Sequence, residues 1–218
     1  EITEDGSIYI TGWTSGDFDK QINNGIADIF ISKLDKNSNT EWSKLIGSND
    51  NDYAEDIEIT QDGSIYITGK TSGDLNGEIN NGSSDAFITK LDTNGNQLWT
   101  KLIGTNLPDY GQDIEISNDG SIYIAGYTYG NLGGKANNGN WDSFISKLDT
   151  SGNELWTQLV GSSEGDYAYD LEIAKDGSVY IIGKTSGDLD GKINNGSGDA
   201  FITKLDTNGN KKWTKLIG

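Results

Sequence analysis

The residues best suited to chemistry are carboxylate and amide side chains in a polar loop that occurs four times along the chain. Its clearest copy runs from Asp188 to Asp199, twelve positions when both ends are counted, with oxygen-bearing side chains at the first, third and seventh positions. This length and these side chains are typical of the calcium-binding EF-hand loop. The match is incomplete. Lys192 replaces an oxygen ligand, and Asp199 stands where a bidentate Glu is usual. Gly191 is displaced from the sixth position, where the EF-hand loop has its glycine.

The loops predict three sets of Ca²⁺ ligands and one weaker set. The three sets are Asp17, Asp19, Asn23 and Asp28 in the first copy, Asp74, Asn76, Glu78, Asn80 and Asp85 in the second, and Asp188, Asp190, Asn194 and Asp199 in the fourth. The weaker set, expected to bind least, comprises Asn131, Gly133, Lys135, Asn137 and Asp142. An alternative stays open, since Asp and Asn side chains also form turns by bonding to nearby backbone amides.

A second acidic cluster, Asp50, Asp52 and Asp56, lies in the connection between the first two copies. It recurs in part later in the chain, as Asp109 and Asp113 and as Asp166 and Asp170. Aspartate readily accepts hydrogen bonds from neighbouring backbone amides. We therefore expect this cluster to fasten one repeat to the next, with a second metal site as the alternative.

Two tryptophans outside the repeated pattern are candidate ligand-binding residues. Trp13 and Trp141 take the places of Lys70 and Ser84 in the second copy, so they are not part of the repeated core. Exposed aromatic faces beside acidic and amide groups suit a carbohydrate. The tryptophans expected to pack instead, because they keep one register in an alternating strand, are Trp42, Trp99, Trp156 and Trp213.

The residue types give little support to catalysis. The chain has no His or Cys to act as a general base or thiol nucleophile, and no glycine-rich phosphate loop joins a strand to a helix. Paired carboxylates of the kind used in glycoside hydrolysis remain, but they recur with every repeat, whereas a catalytic pair usually occurs once. We predict that the chain is not an enzyme and has no catalytic residues.

A strict internal repeat positions these loops. Asp-Gly pairs recur every 57 residues, at Asp5, Asp62, Asp119 and Asp176. In the second copy, alternating segments at 56–60, 64–68, 86–91 and 98–103 predict four strands. A two-residue turn is predicted at Asp62-Gly63, and Asn94-Gly95 supplies the next turn. Both faces of each strand carry apolar residues, which predicts a sheet covered on both sides.

This pattern predicts an all-β fold, a β-propeller of four-stranded antiparallel blades. The small residues Ala54, Gly111 and Ala168 suit a crowded axis. A stacked β-solenoid is the competing architecture. The segments Asp-Gly-Ser-Ile-Tyr-Ile-Thr-Gly, Asp-Ala-Phe-Ile-Thr-Lys-Leu-Asp and Leu-Trp-Thr-Lys-Leu-Ile-Gly, within residues 52–104, resemble the bacterial SBBP family, the seven-bladed β-propeller repeat. The resemblance implies a large exported or surface-attached protein without a shared catalytic motif.

One repeat domain, residues 1–218, is predicted, with blades at approximately 1–47, 48–104, 105–161 and 162–218. The first blade lacks most of its first strand, so we expect an arc of a longer array or a ring completed by another chain. The expected partners are therefore other protein chains or further repeats of the same protein. A closed four-blade ring with one three-stranded blade is the alternative.

The formal charge of −18 disfavours nucleic acid and anionic lipid, because both need clustered Lys and Arg. No apolar run is long enough to cross a bilayer, so no membrane insertion is expected. Without Cys, neither disulfides nor thiolate metal sites contribute. We predict a non-catalytic extracellular or cell-surface scaffold or adhesion module, stabilised by Ca²⁺. A carbohydrate-binding propeller and a self-assembling filament or matrix protein are the alternatives.

Overall fold

The computed structural model describes residues 1–218 as fifteen β-strands and no helix. No helix therefore exists that is long and apolar enough to cross a membrane. The strands form four antiparallel sheets, and within each sheet every strand pairs with the next one along the chain. Sheet 1 has three strands, β1 (Ile8–Thr14), β2 (Asp28–Leu34) and β3 (Thr40–Ile46).

The other three sheets have four strands each. Sheet 2 consists of β4 (Asp52–Ile59), β5 (Ile65–Thr71), β6 (Asp85–Leu91) and β7 (Gln97–Ile103). Sheet 3 consists of β8 (Asp109–Ile116), β9 (Ile122–Thr128), β10 (Asp142–Leu148) and β11 (Glu154–Val160). Sheet 4 consists of β12 (Asp166–Ile173), β13 (Val179–Thr185), β14 (Asp199–Leu205) and β15 (Lys211–Ile217).

The turn between the first two strands of a sheet differs from the sequence prediction. In sheet 2 the Gly63 N–H donates to the Thr60 carbonyl (2.8 Å), and the Thr60 N–H donates to the Ser64 carbonyl (3.0 Å). Only Gly63 has a positive φ, 80°, whereas a two-residue type I′ turn needs two such residues. The connection is a type I turn closed by a left-handed glycine. Asp62 favours it, because its Oδ1 accepts the Ser64 N–H (2.9 Å).

Each internal sheet is apolar on both faces, because alternate residues of a strand point to opposite sides. In β5, Ile65 and Ile67 pack toward sheet 1, while Tyr66 packs toward sheet 3. In β6, Phe87 packs toward sheet 1 and Ile88 toward sheet 3. The hydrophobic core is therefore divided into three clusters, one at each junction between consecutive sheets.

The first strands lie along one inner edge of the array, since β8 packs against both β4 and β12. Gly111 sits at this crowded edge: a Cβ added to it would lie 2.6 Å from Thr68 Oγ1 of sheet 2. Ala54 and Ala168, its counterparts, are buried. The three small residues therefore lie at a crowded inner edge, as the sequence predicted.

The all-β fold with antiparallel four-stranded repeats and a three-stranded first sheet is confirmed. The solenoid alternative is wrong, because no strand forms ladder pairs with a strand of another repeat. Substantial packing between sheets occurs only between consecutive sheets. The four sheets therefore form an open array with one outward face on sheet 1 and another on sheet 4.

Candidate functional site

The polar loop between the second and third strands of each repeat is held by its own side chains. In sheet 2, Asp74 Oδ1 accepts the Asn80 N–H (2.9 Å), and Asn80 Nδ2 donates to the Thr71 carbonyl (3.0 Å). The same two bonds occur in the other three copies. In the third copy the acceptor is Asn131 (2.9 Å), so the loop geometry does not require a carboxylate at this position.

Other predicted Ca²⁺ ligands turn toward the outermost strand of their sheet. Asn76 Nδ2 donates to Thr100 Oγ1 (3.0 Å), and Glu78 forms an ion pair with Lys101 (3.3 Å). In the fourth copy Asp190 bonds to Lys211 and Thr214. The third loop position adopts a left-handed conformation in every copy, with Asp19 (φ 45°), Asn76 (53°), Gly133 (57°) and Asp190 (51°).

The structure brings one loop carboxylate close to the second acidic cluster. Asp74 and Asn80 line an entirely polar depression together with Asn49 and Asp50 of the preceding connection. At the next junction the residues corresponding to Asp50 and Asp74 are Leu107 and Asn131. No group of three or more His, Cys, Asp or Glu side chains that could hold a metal ion occurs in the chain. The Ca²⁺ ligand sets stay a prediction.

Aspartates are buried in pairs at the junctions between sheets. Asp52, which begins β4, donates its N–H to the Ala27 carbonyl (2.8 Å) in a short parallel bridge, so Asp52 and Asp28 lie side by side. Asp28 Oδ2 accepts the Asn24 N–H (2.8 Å), and Asp52 Oδ2 accepts the Ser48 N–H (2.6 Å). The bond that crosses the junction here joins main-chain atoms, whereas the Asp52 side chain accepts a bond within its own connection.

Two further junctions repeat this arrangement, with the pairs Asp85 and Asp109 and Asp142 and Asp166. All six side chains are inaccessible to solvent, and each leaves Oδ1 without a hydrogen bond. Burial raises the pKa of Asp85 and of Asp142 to about 6, and the neighbouring carboxylate of each pair adds to the shift. A proton on one carboxyl group relieves the repulsion within such a pair.

A second set of acidic residues connects the first strands across the junctions. Asp56 Oδ2 accepts the Ile114 N–H of sheet 3 (3.0 Å), and Asp113 Oδ2 accepts the Leu171 N–H of sheet 4 (2.6 Å). A β-bulge just before Asp56 in β4 recurs in β8 and β12 and re-aims the side chain. Burial raises the pKa of Asp113 above its usual range, and the Asp56 side chain adds to this shift.

The glutamates that follow on the same strands are also poor acids. Burial raises the pKa of Glu58 and of Glu115 to about 7, and nearby acidic groups add to both shifts. The inner edge of the array therefore carries less negative charge near neutral pH than its composition suggests.

The recurring tryptophans pack across the junctions. Trp42 of sheet 1 lies over Gly95, in the turn between β6 and β7: a Cβ on Gly95 would be 2.8 Å from Trp42 Cζ3. Trp99 meets Gly152 and Trp156 meets Gly209 in the same way, at 3.2 and 2.9 Å. These tryptophans are structural contacts between sheets.

The two copy-specific tryptophans belong to a belt of aromatic residues that spans all four sheets. The aromatic belt consists of Trp13, Tyr53, Tyr110, Tyr127, Tyr129, Trp141, Tyr167 and Tyr169. Trp13 is 52% exposed, and its ring meets Tyr53 edge-on at 5.2 Å. Trp141 is half-buried, with Tyr110, Tyr127 and Tyr129 each 5.2 Å away.

Lys70 takes the place of Trp13 in the second repeat and links two rings of the belt. Its Nζ lies 5.1 Å from the centre of the Tyr53 ring and 4.3 Å from that of Tyr110. Tyr127 occupies the same position in the third repeat, where burial raises its pKa to about 12, with nearby tyrosines adding to the shift. The belt is thus continuous across the junction of sheets 2 and 3.

Sequence reasoning considered most of these residues but missed their pairing across repeats. The paired aspartates keep a constant separation of 24 residues, as in Asp28 and Asp52, and each tryptophan precedes its glycine by 53, as in Trp42 and Gly95. These constant offsets were the available signal. The spatial partner of each residue depends on which faces of neighbouring sheets meet.

Each repeat folds into a separate antiparallel sheet, and consecutive sheets pack face to face along a common inner edge. This arrangement is that of β-propeller repeats. A family model described as "Beta-propeller repeat", SBBP, matches residues 41–76 and 98–133. The chain thus carries SBBP repeats, and the resemblance noted in the sequence is confirmed. Each matched segment contains the tryptophan-bearing strand of one sheet and the first two strands of the next.

One curated relative is the "Regulatory protein FlaEY" of Caulobacter vibrioides, 31% identical over 168 residues, an alignment that covers 68% of this chain and 17% of the relative. The chain spans about a sixth of the length of that relative. Among solved structures, a protein of unknown function from Bacteroides caccae has a TM-score of 0.49 at 12% identity, over 96% of this chain and 58% of that one. A eukaryotic initiation factor gives 0.44 at 11% identity, over 95% and 42%.

Proposed function

We propose that the chain is a non-catalytic scaffold segment of a longer propeller array, located outside the cell or on the cell surface, where it acts in adhesion. The observation that carries this proposal is the chemistry of the outward faces of sheets 1 and 4. Both faces consist of residues whose counterparts form the buried junctions inside the array. Exposed apolar faces of this kind mark sites of contact with another surface.

The outward face of sheet 4 supports the proposal most directly. Ile217 is 59% exposed, whereas its counterpart Ile103 is 6% exposed. Ile182 is 37% exposed, while its counterpart Ala125 is fully buried. On sheet 1, Ile10 is likewise exposed and its counterpart Ile67 is buried. The outward faces of sheets 1 and 4 thus resemble the buried faces of the internal sheets, as expected of a segment joined to further repeats.

The scaffold role is tested by extending the chain. A copy of residues 105–161 is joined after Gly218, and thermal unfolding of the extended chain is compared with that of residues 1–218. We expect one cooperative transition at a higher Tm, because the new repeat buries the outward face of sheet 4. An appended repeat that stays unfolded by hydrogen exchange would refute the scaffold proposal.

Bound Ca²⁺ is the proposed stabiliser of this scaffold, held at the polar depression that contains Asp50 and Asp74. The fourth repeat offers the corresponding pair Glu164 and Asp188, whose loops also touch, since a Cβ on Gly187 would lie 3.1 Å from Glu164 Cβ. Two carboxylates and several amide oxygens around an open depression suit a hard cation. The third repeat, with Leu107 and Asn131, is the poorest candidate by composition.

Thermal unfolding in chelator, in calcium and in magnesium tests this stabilisation. Binding to the folded state alone raises the free energy of unfolding by about 2.7 kcal/mol when the free ion is at a hundred times its Kd. We expect a rise in Tm specific to calcium that is smaller in Asp74→Asn and unchanged in Asn131→Ala, the matched control. Equal shifts in calcium and magnesium would instead indicate general screening of the negative charge.

A second candidate function, carbohydrate binding, is favoured by the aromatic belt. Exposed aromatic rings give flat apolar surfaces next to polar groups, and Trp13 and Tyr169 are the most exposed members. A neutral glycan fits better than an acidic one because the chain carries a formal charge of −18. Saturable binding on a glycan array that Trp13→Ala abolishes and Trp213→Ala leaves intact would support this function.

The relative named as a regulatory protein adds no chemistry to these proposals, because its alignment with this chain covers only 17% of its length. It is consistent with a propeller that acts by binding instead of catalysis.

Labelling of intact cells with an antibody against the chain tests the proposed location. Labelling that appears only after permeabilisation would refute a surface location.

A further inference from the structure

The third repeat differs from the other three in the charge of its polar loop. Its loop, residues 129–141, contains no Asp or Glu, whereas each of the corresponding loops at 15–27, 72–84 and 186–198 contains two acidic residues. The connection before it, residues 104–108, has no acidic residue either. Asp109 and Asp142, which follow these two segments, are inaccessible to solvent. The two segments therefore expose no carboxylate, although the chain carries a formal charge of −18.

The same repeat gains apolar side chains at this place. Tyr129 replaces Ser72 of the second repeat, and Leu107 replaces Asp50. In the second repeat these two positions line the polar depression. In the third repeat the Tyr129 N–H donates to the Pro108 carbonyl (2.9 Å), which holds the loop against the connection. The third repeat thus has an aromatic patch where the second has a polar depression.

The aromatic patch has a rigid platform. The Tyr129 ring lies 5.2 Å from the Trp141 ring, at an interplanar angle of 80°. Trp141 is held in turn by Tyr110 and Tyr127, each 5.2 Å away. Tyr129 remains 41% exposed and Leu107 39% exposed. A ligand that stacks on a ring fixed in this way loses little affinity to the ordering of side chains.

Uncharged hydrogen-bonding groups border this platform. Asn131 replaces Asp74 of the second repeat, and its Oδ1 accepts the Asn137 N–H (2.9 Å), which leaves its NH₂ group as a donor for a ligand. Asn106 of the connection is also exposed. A sugar ring presents C–H groups on its face and hydroxyl groups around its edge. An aromatic ring beside amide groups matches both parts.

The surroundings favour a neutral ligand over a charged one. The acidic surface of the chain repels anions, and a divalent cation finds no carboxylate in the loop. Lys135 is the single charged side chain of residues 129–141. An extended peptide finds no free strand edge, because β9 and β10 are the two inner strands of sheet 3.

We infer that the third repeat holds a subsite for one neutral sugar ring, which stacks on Tyr129, contacts Leu107 and bonds to Asn106 and Asn131. This inference rests on carbohydrate binding, the second candidate function, and gives it a location and a ligand chemistry. The other repeats have acidic loops and a serine at the position of Tyr129, so they lack this subsite. One repeat of the array is therefore specialised for recognition.

An array that carries both neutral and acidic glycans tests the subsite. The unchanged chain is compared with Tyr129→Ser and Leu107→Asp, which introduce the residues that the second repeat has at these positions. We expect each change to weaken the binding of neutral glycans about tenfold, because stacking or apolar contact is lost. Ser72→Ala, in the second repeat, is the matched control and should bind as the unchanged chain does. The Tm of each variant shows that it is folded.

The outcomes separate this inference from the candidate function. If Trp13→Ala abolishes the binding of a neutral glycan and Tyr129→Ser leaves it unchanged, the inference is wrong and carbohydrate binding stands. Binding of acidic glycans alone would overturn the neutral chemistry of the subsite. If no glycan binds, the inference and the candidate function are both wrong.

Discussion

The internal junctions and the outward face of sheet 4 contain the same kinds of residue in two different situations. Between sheets 3 and 4, Trp156 covers Gly209 and Asp113 accepts the Leu171 N–H. On the outward face Trp213 is 44% exposed, and Asp170 accepts no bond from a neighbouring sheet. Each repeat therefore supplies only half of each stabilising contact.

The stability of the molecule depends on the junctions between its sheets. A single sheet cannot bury both of its apolar faces, so the free energy of folding depends on contacts between consecutive repeats. Matched substitutions at an internal position and at its outward counterpart measure this dependence. The cost should be large inside the array and small at its ends.

The largest effect is expected for the aromatic core at the first junction. Phe87→Ala removes a fully buried side chain and should lower the free energy of unfolding by about 3–5 kcal/mol. Phe30→Ala changes the corresponding half-buried residue on sheet 1 and should cost clearly less. Urea denaturation of both variants gives the values, and equal costs would contradict the division of the core by junctions.

A second effect should appear in the pH dependence of stability. The pKa of Asp142 rises from its ordinary value to about 6 on folding, so the native state holds more protons than the unfolded chain between about pH 4 and 6. This contribution to the free energy of unfolding is complete below that window and is lost as pH rises through it. Its size is on the order of 3 kcal/mol.

Urea denaturation at several pH values measures this loss. Asp142→Asn keeps the shape of the side chain and removes its titration, so its stability should fall less between pH 4 and 8 than that of the unchanged chain. Asp176→Asn, at an exposed turn, is the control and should keep the fall. A fall of the same size in Asp142→Asn would contradict the role of the buried pair.

A third, smaller effect concerns the bonds between first strands. Asp113→Ala leaves the buried Leu171 N–H without its acceptor and should cost about 1–3 kcal/mol. Asp170→Ala removes the exposed counterpart and should change stability by less than about 0.5 kcal/mol. Asp113→Asn retains an acceptor and should restore most of the loss, as measured by thermal unfolding.

The smallest effect is expected in the aromatic belt. Lys70→Ala removes the ammonium group held between Tyr53 and Tyr110 and should cost about 0.5–1 kcal/mol. Lys184→Ala, the counterpart on sheet 4, loses no such ring contact. A double-mutant cycle of Lys70 with Tyr110 measures the coupling free energy between the two side chains. A coupling of zero would show that this contact does not stabilise the junction.

Much of the fold was predictable because it is local and repeated. The alternation around Tyr66 and the Asp-Gly pairs specify strands and turns at short range, and four copies in phase identify the repeated sheet. The turn type at Asp62-Gly63 was predicted wrongly. Asp62 bonds to the Ser64 N–H, which favours a type I turn, and this side-chain bond outweighed the dipeptide preference.

The candidate site was predictable only in part. The sequence identified Asp28 in a loop and Asp52 in a connection but treated them separately, although they form one buried pair. It singled out Trp13 and Trp141 as a pair, whereas the structure places them at different points of one belt. Such partners lie on different repeats, and spacing along the chain does not reveal which faces meet.

The repeat, the strands and the apolar character of both faces of each sheet follow from the sequence, because side-chain alternation and turn chemistry act over a few residues. Which side chains are buried or hydrogen-bonded depends on how the sheets pack against one another. Trp156 and Trp213 have the same local sequence role, yet only Trp156 lies over a glycine turn. The physical reason is that burial and hydrogen bonding at a junction depend on the neighbouring sheet being present.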